Sequence, residues 1–243
     1  MRFMIMHRTN AHYESGAVPS AELIGRVGKL IGEMAQSGVL LAGEGLRSTS
    51  RGVRLHFPDG ERTVTDGPFT ESKEVIGGFA IMRLESLEDA IAWATKFAQV
   101  LEGEVEMAIR PVPEPWDIGM MEKPAGLTTT RYLATHKRIG IDGCQPLAPA
   151  QRTAMGRLME EMAQAGILLS AEGLHLRAKG ACLRLSEGKP TVMDGPFAET
   201  KELLGGFVIV KAESLQQAIE WALRYHAVVD TEQVEVRLVA EPP

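Results

Sequence analysis

Apolar and polar positions alternate along residues 2–8, where Phe3, Ile5 and His7 share one side and Met4 and Met6 the other, so a strand is expected there. The period then changes. Leu23, Ile24, Val27, Leu30, Ile31 and Met34 fall at helical spacing, with Ser20 as N-cap and Gly38 just past the C-terminus. "VLLAGEGL" returns to a strand that bends at Gly43 or Gly45. "GVRLHF" and "RTVTD" flank "PDG" and read as a hairpin. "GGFAIMRL" is a further strand, and Ser86 with Asp89 makes a capping box, with Asp in the usual place of Glu. Leu87, Ala90, Ile91, Ala94 and Phe97 form the stripe of a second helix, and "EVEMAIRPV" closes the series as a last strand.

The series then repeats. "DGPFTESKEVIGGF" from Asp66 returns 128 residues later, at Asp194, as "DGPFAETKELLGGF". The same offset joins "EMAQSGVLLAGEGL" to "EMAQAGILLSAEGL" and "ESLEDAIAWA" to "ESLQQAIEWA". At the ends the match slips by one residue, which pairs "RFMIMHR" with "RYLATHK" and "EVEMAIRPV" with "QVEVRLVAE" from Gln233. A unit this long is a small domain, since solenoid repeats run about 20–50 residues. The expected organisation is a first repeat over 1–115, a Pro- and Gly-bearing linker over 116–129 and a second repeat over 130–243.

The order β-α-β, hairpin, β-α-β predicts a mostly antiparallel sheet with two helices on one face, the ferredoxin-like α+β arrangement. The bare face needs a partner. Duplication supplies one, so the two sheets are expected to pack face to face within the chain; pairing with a copy in another chain is the alternative.

Composition narrows the function classes. The chain has 243 residues, 44% hydrophobic and 24% charged, with a net charge of −6, and no basic stretch marks a nucleic-acid binder. An acidic chain gains nothing from an anionic membrane, and no apolar run reaches the roughly 18 residues of a span. "MRFMIMHR" lacks the features of a secretory leader, so a cytoplasmic location is expected. Cys144 and Cys182 have no counterparts and no metal-ligand spacing, and read as reduced structural residues. Phosphate-binding, zinc and hydrolase-elbow motifs are missing, so no metal site or cofactor is expected.

"GEGL", the long motif beginning "DGPF", and "ESLEDAIAWA" resemble the YCII-related family, in its branch named for the DGPF motif, over both copies nearly end to end. The resemblance implies the dimeric α/β-barrel version of the ferredoxin-like fold. Relatives in the wider group include an enzyme that removes chloride from a chlorinated hydroxyquinone, with a His and an Asp as its acid–base pair. Some DGPF proteins have been linked with extracytoplasmic sigma factors by gene neighbourhood or fusion.

The charged residues of the motif change less than the apolar ones around them. Asp66 and Asp194 are read either as turn residues or as catalytic carboxylates. Lys73 with Glu74, and Lys201 with Glu202, are read as an ion pair that locks the motif against the sheet, with a ligand-facing lysine as the second reading. Glu44 and Glu172, at a strand end among small residues, are acid–base candidates or rim residues paired with an Arg. His7 and His136 either enter a cavity as proton carriers or sit in the core beneath the helices. His12, His56, His175 and His226 are read as surface residues. The expected function is a cofactor-free small-molecule lyase or isomerase using His/carboxylate chemistry in an inter-repeat cavity. The alternatives are a ligand-binding or regulatory module associated with sigma-factor-dependent transcription, and a protein in which one copy alone keeps a site. Further self-association is compatible with all three.

Overall fold

The computed structural model describes residues 1–58, 61–69, 76–101, 103–143, 146–186, 189–195, 203–229 and 231–240. The strands and helices expected of the first copy form where the pattern places them. They are β1 (Arg2–Arg8), α2 (Ala21–Gln36), β2 (Leu40–Gly45), β3 (Val53–Phe57), β4 (Thr63–Asp66), β5 (Gly78–Leu84), α3 (Leu87–Leu101) and β6 (Val105–Pro111). A four-residue helix, α1 (Ala11–Glu14), was not legible in the periodicity. The second copy repeats the order as β7 (Thr130–Arg138), α4 (Pro149–Gln164), β8 (Leu168–Gly173), β9 (Ala181–Ser186), β10 (Lys189–Asp194), β11 (Leu204–Lys211), α5 (Leu215–His226) and β12 (Gln233–Leu238).

Local chemistry sets the helix ends. The Ser20 hydroxyl accepts from Leu23 N–H at 3.1 Å, a cap worth about 1 kcal/mol, and Gly38 takes the left-handed conformation (φ 69°) just past the last turn of α2. Ser86 and Asp89 make the reciprocal capping box at α3: Asp89 N–H donates to Ser86 Oγ, and Ser86 N–H to Asp89 Oδ2, both at 3.1 Å.

The strands form two six-stranded antiparallel sheets, in the orders β10-β9-β12-β1-β11-β2 and β4-β3-β6-β7-β5-β8. Each sheet draws on both copies. The β-α-β half of the first copy (β1, α2, β2) joins the hairpin and β-α-β half of the second (β9 to β12 with α5), and the converse holds in the other sheet. Homologous repeats permit this, because the interchangeable halves offer a similar strand edge and a similar apolar face to either partner. Of the described residues, those up to Leu46 and from Leu174 on form one compact unit, and those from Arg47 to Gly173 form the other.

Each unit has one core between its sheet and its helices. In the first, Phe3, Ile5, Leu183, Val208 and Val236 lie beneath α2 and α5. In the second, Leu55, Met82, Met107 and Ile109 lie beneath α3 and α4. Side chains of this size each stabilise the fold by roughly 1.5–3 kcal/mol on full burial.

The register corrects one expectation. Met107 lies opposite His136, whereas Val234 lies opposite His7. The last strands therefore correspond at an offset of 127 residues, so the slip runs opposite to the expected pairing of Glu104 with Gln233. A second correction concerns His226, read as a surface residue but 5% exposed, because the end of α5 tucks beneath the following turn and Nε2 meets the Thr231 carbonyl at 3.1 Å. Cys182 is buried; Cys144 lies outside the described residues. Where the first repeat was expected to give way to a linker, Pro115–Ile118 forms a short 3₁₀ turn, and the buried Glu114 carboxylate just before it meets Arg131 at 3.0 Å.

Candidate functional site

His7 and His136 both project from the helix-covered face of their sheets. His7 lies opposite Gly206, and its Nδ1 meets the Tyr225 hydroxyl of α5 at 2.8 Å, with ring centroids 5.7 Å apart and planes tilted by 58°. His136 lies opposite Gly78 and stacks on Phe97 of α3 at 4.9 Å and 50°. Tyr225 and Phe97 are 128 residues apart in the repeat, so the same helix position carries a phenol in one unit and a bare ring in the other. The paired glycines of "GGF" explain how the imidazoles fit. A Cβ at Gly206 would stand 2.6 Å from His7 Cε1, and one at Gly78 would stand 2.7 Å from His136 Cε1.

Beside His136 lies a small apolar niche, with a volume of about 20 Å³, room for about one water. Met82, Ala94, Met107, Ala134 and Met162 form its buried floor, and Trp93, Phe97, Met159 and Ala80 its half-buried walls. Lys96 lies over the Trp93 ring at 3.9 Å and pairs with Glu161 at 2.8 Å, which ties α3 to α4 beside the niche. Burial among these side chains, with a lesser push from Arg138, lowers the His136 imidazole to about 4, so it is neutral at neutral pH. In the other unit, burial raises the Tyr225 phenol and keeps it protonated.

The candidate carboxylates stand apart from the imidazole of their own unit. Glu44 lies opposite Phe207, one residue along from the His7–Gly206 pair, so Glu44 and His7 leave opposite faces of the sheet. Glu172 and His136 are separated in the same way, through Phe79 and Gly78. Asp66 ends the edge strand β4, three strands from His136, a distance of roughly 14 Å at the usual strand spacing. Asp194 ends β10, three strands from His7, and both Asp residues are exposed.

The constrained residue of the DGPF motif is its glycine. A Cβ at Gly67 would stand 1.8 Å from the Thr49 carbonyl oxygen, and one at Gly195 would stand 1.9 Å from the Arg177 carbonyl oxygen. Gly67 N–H donates to the Gly52 carbonyl and Gly195 N–H to that of Gly180, both at 3.0 Å. Lys73, Glu74, Lys201 and Glu202 lie outside the described residues.

Sequence reasoning missed a set of buried arginines. The guanidinium of Arg110 donates through Nε to the Arg47 carbonyl at 2.9 Å, and Arg237 does the same to the His175 carbonyl at 3.0 Å. Arg47 and His175 follow "GEGL" and "AEGL", so each arginine pins the chain where it leaves the sheet. Arg237 also meets Glu235 at 3.2 Å, and Glu235 meets Arg8 at 2.8 Å, with all three residues at most 4% exposed. In the other unit Glu106 lies 2.8 Å from Lys137 and 3.5 Å from Arg54. The signal was present in "AIRPV" and "EVRLV", which align their arginines only at the 127-residue offset.

Among the described residues no group of three His, Cys, Asp or Glu is placed to hold a metal ion, and no helix is long and apolar enough to cross a membrane.

The site and the topology define a duplicated α+β protein with ferredoxin-like sheets and an imidazole under the helices of each. The model of the YCII-related domain matches residues 1–113 and again 141–241, so the chain belongs to the YCII-related family and carries its domain twice. It is 40% identical over 68 residues to a protein of Rhizobium meliloti (strain 1021) described as uncharacterised, a match covering 28% of this chain and 55% of that relative. The matched region thus spans about half the length of the relative. No solved structure matches the chain.

Proposed function

We propose that the protein is a ligand-binding module that takes a small, uncharged, largely apolar molecule in the niche beneath α3 and α4. The observation that carries this reading is the lining of the niche, apolar side chains of two helices and the sheet around a single titratable group, a neutral imidazole. A mix of apolar lining with one orienting polar group is the usual one for small-molecule sites, and with about 20 Å³ free the half-buried Trp93 and Met159 have to move aside for a ligand larger than a water. A His/carboxylate lyase or isomerase needs both groups at one reacting atom. The face and strand separations of Glu44, Glu172, Asp66 and Asp194 from the imidazole of their own unit weigh against it.

The test is a thermal-shift screen of small uncharged aromatic molecules on the full chain. Ala80 faces the niche, so Ala80→Leu narrows it. Ligands that raise the Tm of wild type are expected to lose that effect in Ala80→Leu and keep it in Leu41→Ser, a change at an exposed edge-strand residue. An unaltered effect in Ala80→Leu, or no stabilising ligand at millimolar concentration, overturns the reading.

A further inference from the structure

Sulfur is concentrated around the niche. Met82 of β5 and Met107 of β6 line it from the sheet, and Met159 and Met162, three residues apart on one side of α4, line it from the helix layer. His136, on β7, stands directly opposite Met107. In the other unit the equivalent positions around His7 are Val210, Val234, Ile31 and Met34. Both units keep the imidazole, but the thioethers gather around one of them. The first unit packs these positions with branched aliphatic side chains and one methionine, so filling the space does not itself call for sulfur.

We infer that the niche is a binding site for a soft monovalent metal ion of the copper(I) class, held by the His136 imidazole and the thioether sulfurs around it. The free volume of about 20 Å³ admits one particle about the size of a water, which suits a bare ion with no side chain moved aside. Thioether sulfur is a soft donor that selects copper(I), whereas Mg²⁺ and Ca²⁺ take oxygen ligands, and imidazole also suits copper. These donors are neutral, so a monovalent ion leaves less net charge to bury than a divalent one. They stand on three neighbouring strands and a long helix, elements rigid enough to hold a coordination geometry. Because the ion fits the niche as it stands, its binding does not depend on that of the larger apolar ligand.

The probe is Ag(I), which shares the charge, filled d shell and sulfur preference of copper(I) and stays in one oxidation state in air. It is added to the full chain carrying Cys144→Ser and Cys182→Ala, so that no thiol competes, and the ε-methyl groups of ¹³C-labelled methionines are followed by NMR. Should the thiol-free chain not fold, the wild-type chain is titrated past the two equivalents its thiols take up and the same signals are read. One equivalent of site-bound ion is expected to shift the signals of Met82, Met107, Met159 and Met162, assigned by single Met→Leu changes, and to leave those of the exposed Met120 and Met121 in place. The double variant Met107→Leu, Met159→Leu conserves side-chain volume and is expected to fold, and to bind Ag(I) at least roughly 10-fold more weakly. Met34→Leu, the change equivalent to one at Met162 but in the other unit, is expected to leave the affinity unchanged. Niche methionine signals that stay unmoved overturn the inference, and so does an undiminished affinity in the folded double variant.

Discussion

Replacing Gly67 by alanine tests why the DGPF motif recurs. The added Cβ would meet the Thr49 carbonyl oxygen at 1.8 Å, the Thr49 carbonyl carbon at 2.6 Å and Ser50 Cα at 3.1 Å. All three atoms belong to backbone, so no rotamer change relieves the clash. Thr49 is fully buried, and its hydroxyl accepts from Phe69 N–H at 3.1 Å. Restoring a normal separation requires the chain at 67 or at 49 to move by more than 1 Å. That movement strains or breaks the bonds from Gly67 N–H to the Gly52 carbonyl and from Phe69 N–H to Thr49, each worth about 1 kcal/mol net. Overpacking adds about 1–3 kcal/mol, so the whole change is expected to cost roughly 3–5 kcal/mol. For a chain of this length, that is a fall in Tm of roughly 6–20 °C. Gly28, in α2, is the control, because nothing lies within 4 Å of its added Cβ. Gly28→Ala is expected to raise stability by up to about 1 kcal/mol through helix propensity alone. Urea unfolding of the two variants beside wild type measures both changes. A Gly67→Ala protein within about 0.5 kcal/mol of wild type refutes the close-approach explanation of the motif.

Arg237→Met removes a guanidinium that is 1% exposed and leaves Glu235 with Arg8 alone, and is expected to cost about 3–5 kcal/mol in denaturant unfolding; a loss below about 1 kcal/mol would show that the triad is dispensable. His136 gives a pH signature. Its folded pKa of about 4 lies below the ordinary 6.5, so between those values the unfolded chain binds more protons. The resulting stability is complete above pH 6.5 and is lost as pH falls towards 4, by up to about 3 kcal/mol. His136→Phe is expected to flatten that part of the profile, and an unchanged slope counts against a buried neutral imidazole.

The strands and long helices were legible because each carries one clear period and its own cap: Ser20 and Gly38 bound α2, and Ser86 with Asp89 opens α3. Pairing between copies was not legible, since two homologous halves present the same alternation to either partner and the pattern cannot choose between them. The histidines illustrate a narrower limit. Alternation put His7 on the side of Phe3 and Ile5, and that side is the helix-covered one. Which side the helices cover depends on chain direction through the whole sheet, a property of topology that no single strand carries. Tyr225 and Phe97 were visible at equivalent positions, but their difference acquired meaning only once each was found against an imidazole. Arg110 and Arg237 were hidden by a two-residue error in register, from an offset of 129 to one of 127, enough to set arginine against alanine in the comparison of the last strands.

The exchange of β-α-β halves bears on how the gene can be divided. A truncation near residue 120 would not release a finished lobe; it would strand four strands of one sheet with two of the other, each fragment lacking the neighbours that cover its inner strands. Two such fragments made separately should recover the fold only by complementing each other. Covalent fusion also frees the lobes from identity. Two copies of a single-repeat chain would place the same residue against both imidazoles, whereas one continuous polypeptide can keep a tyrosine in one and a phenylalanine in the other.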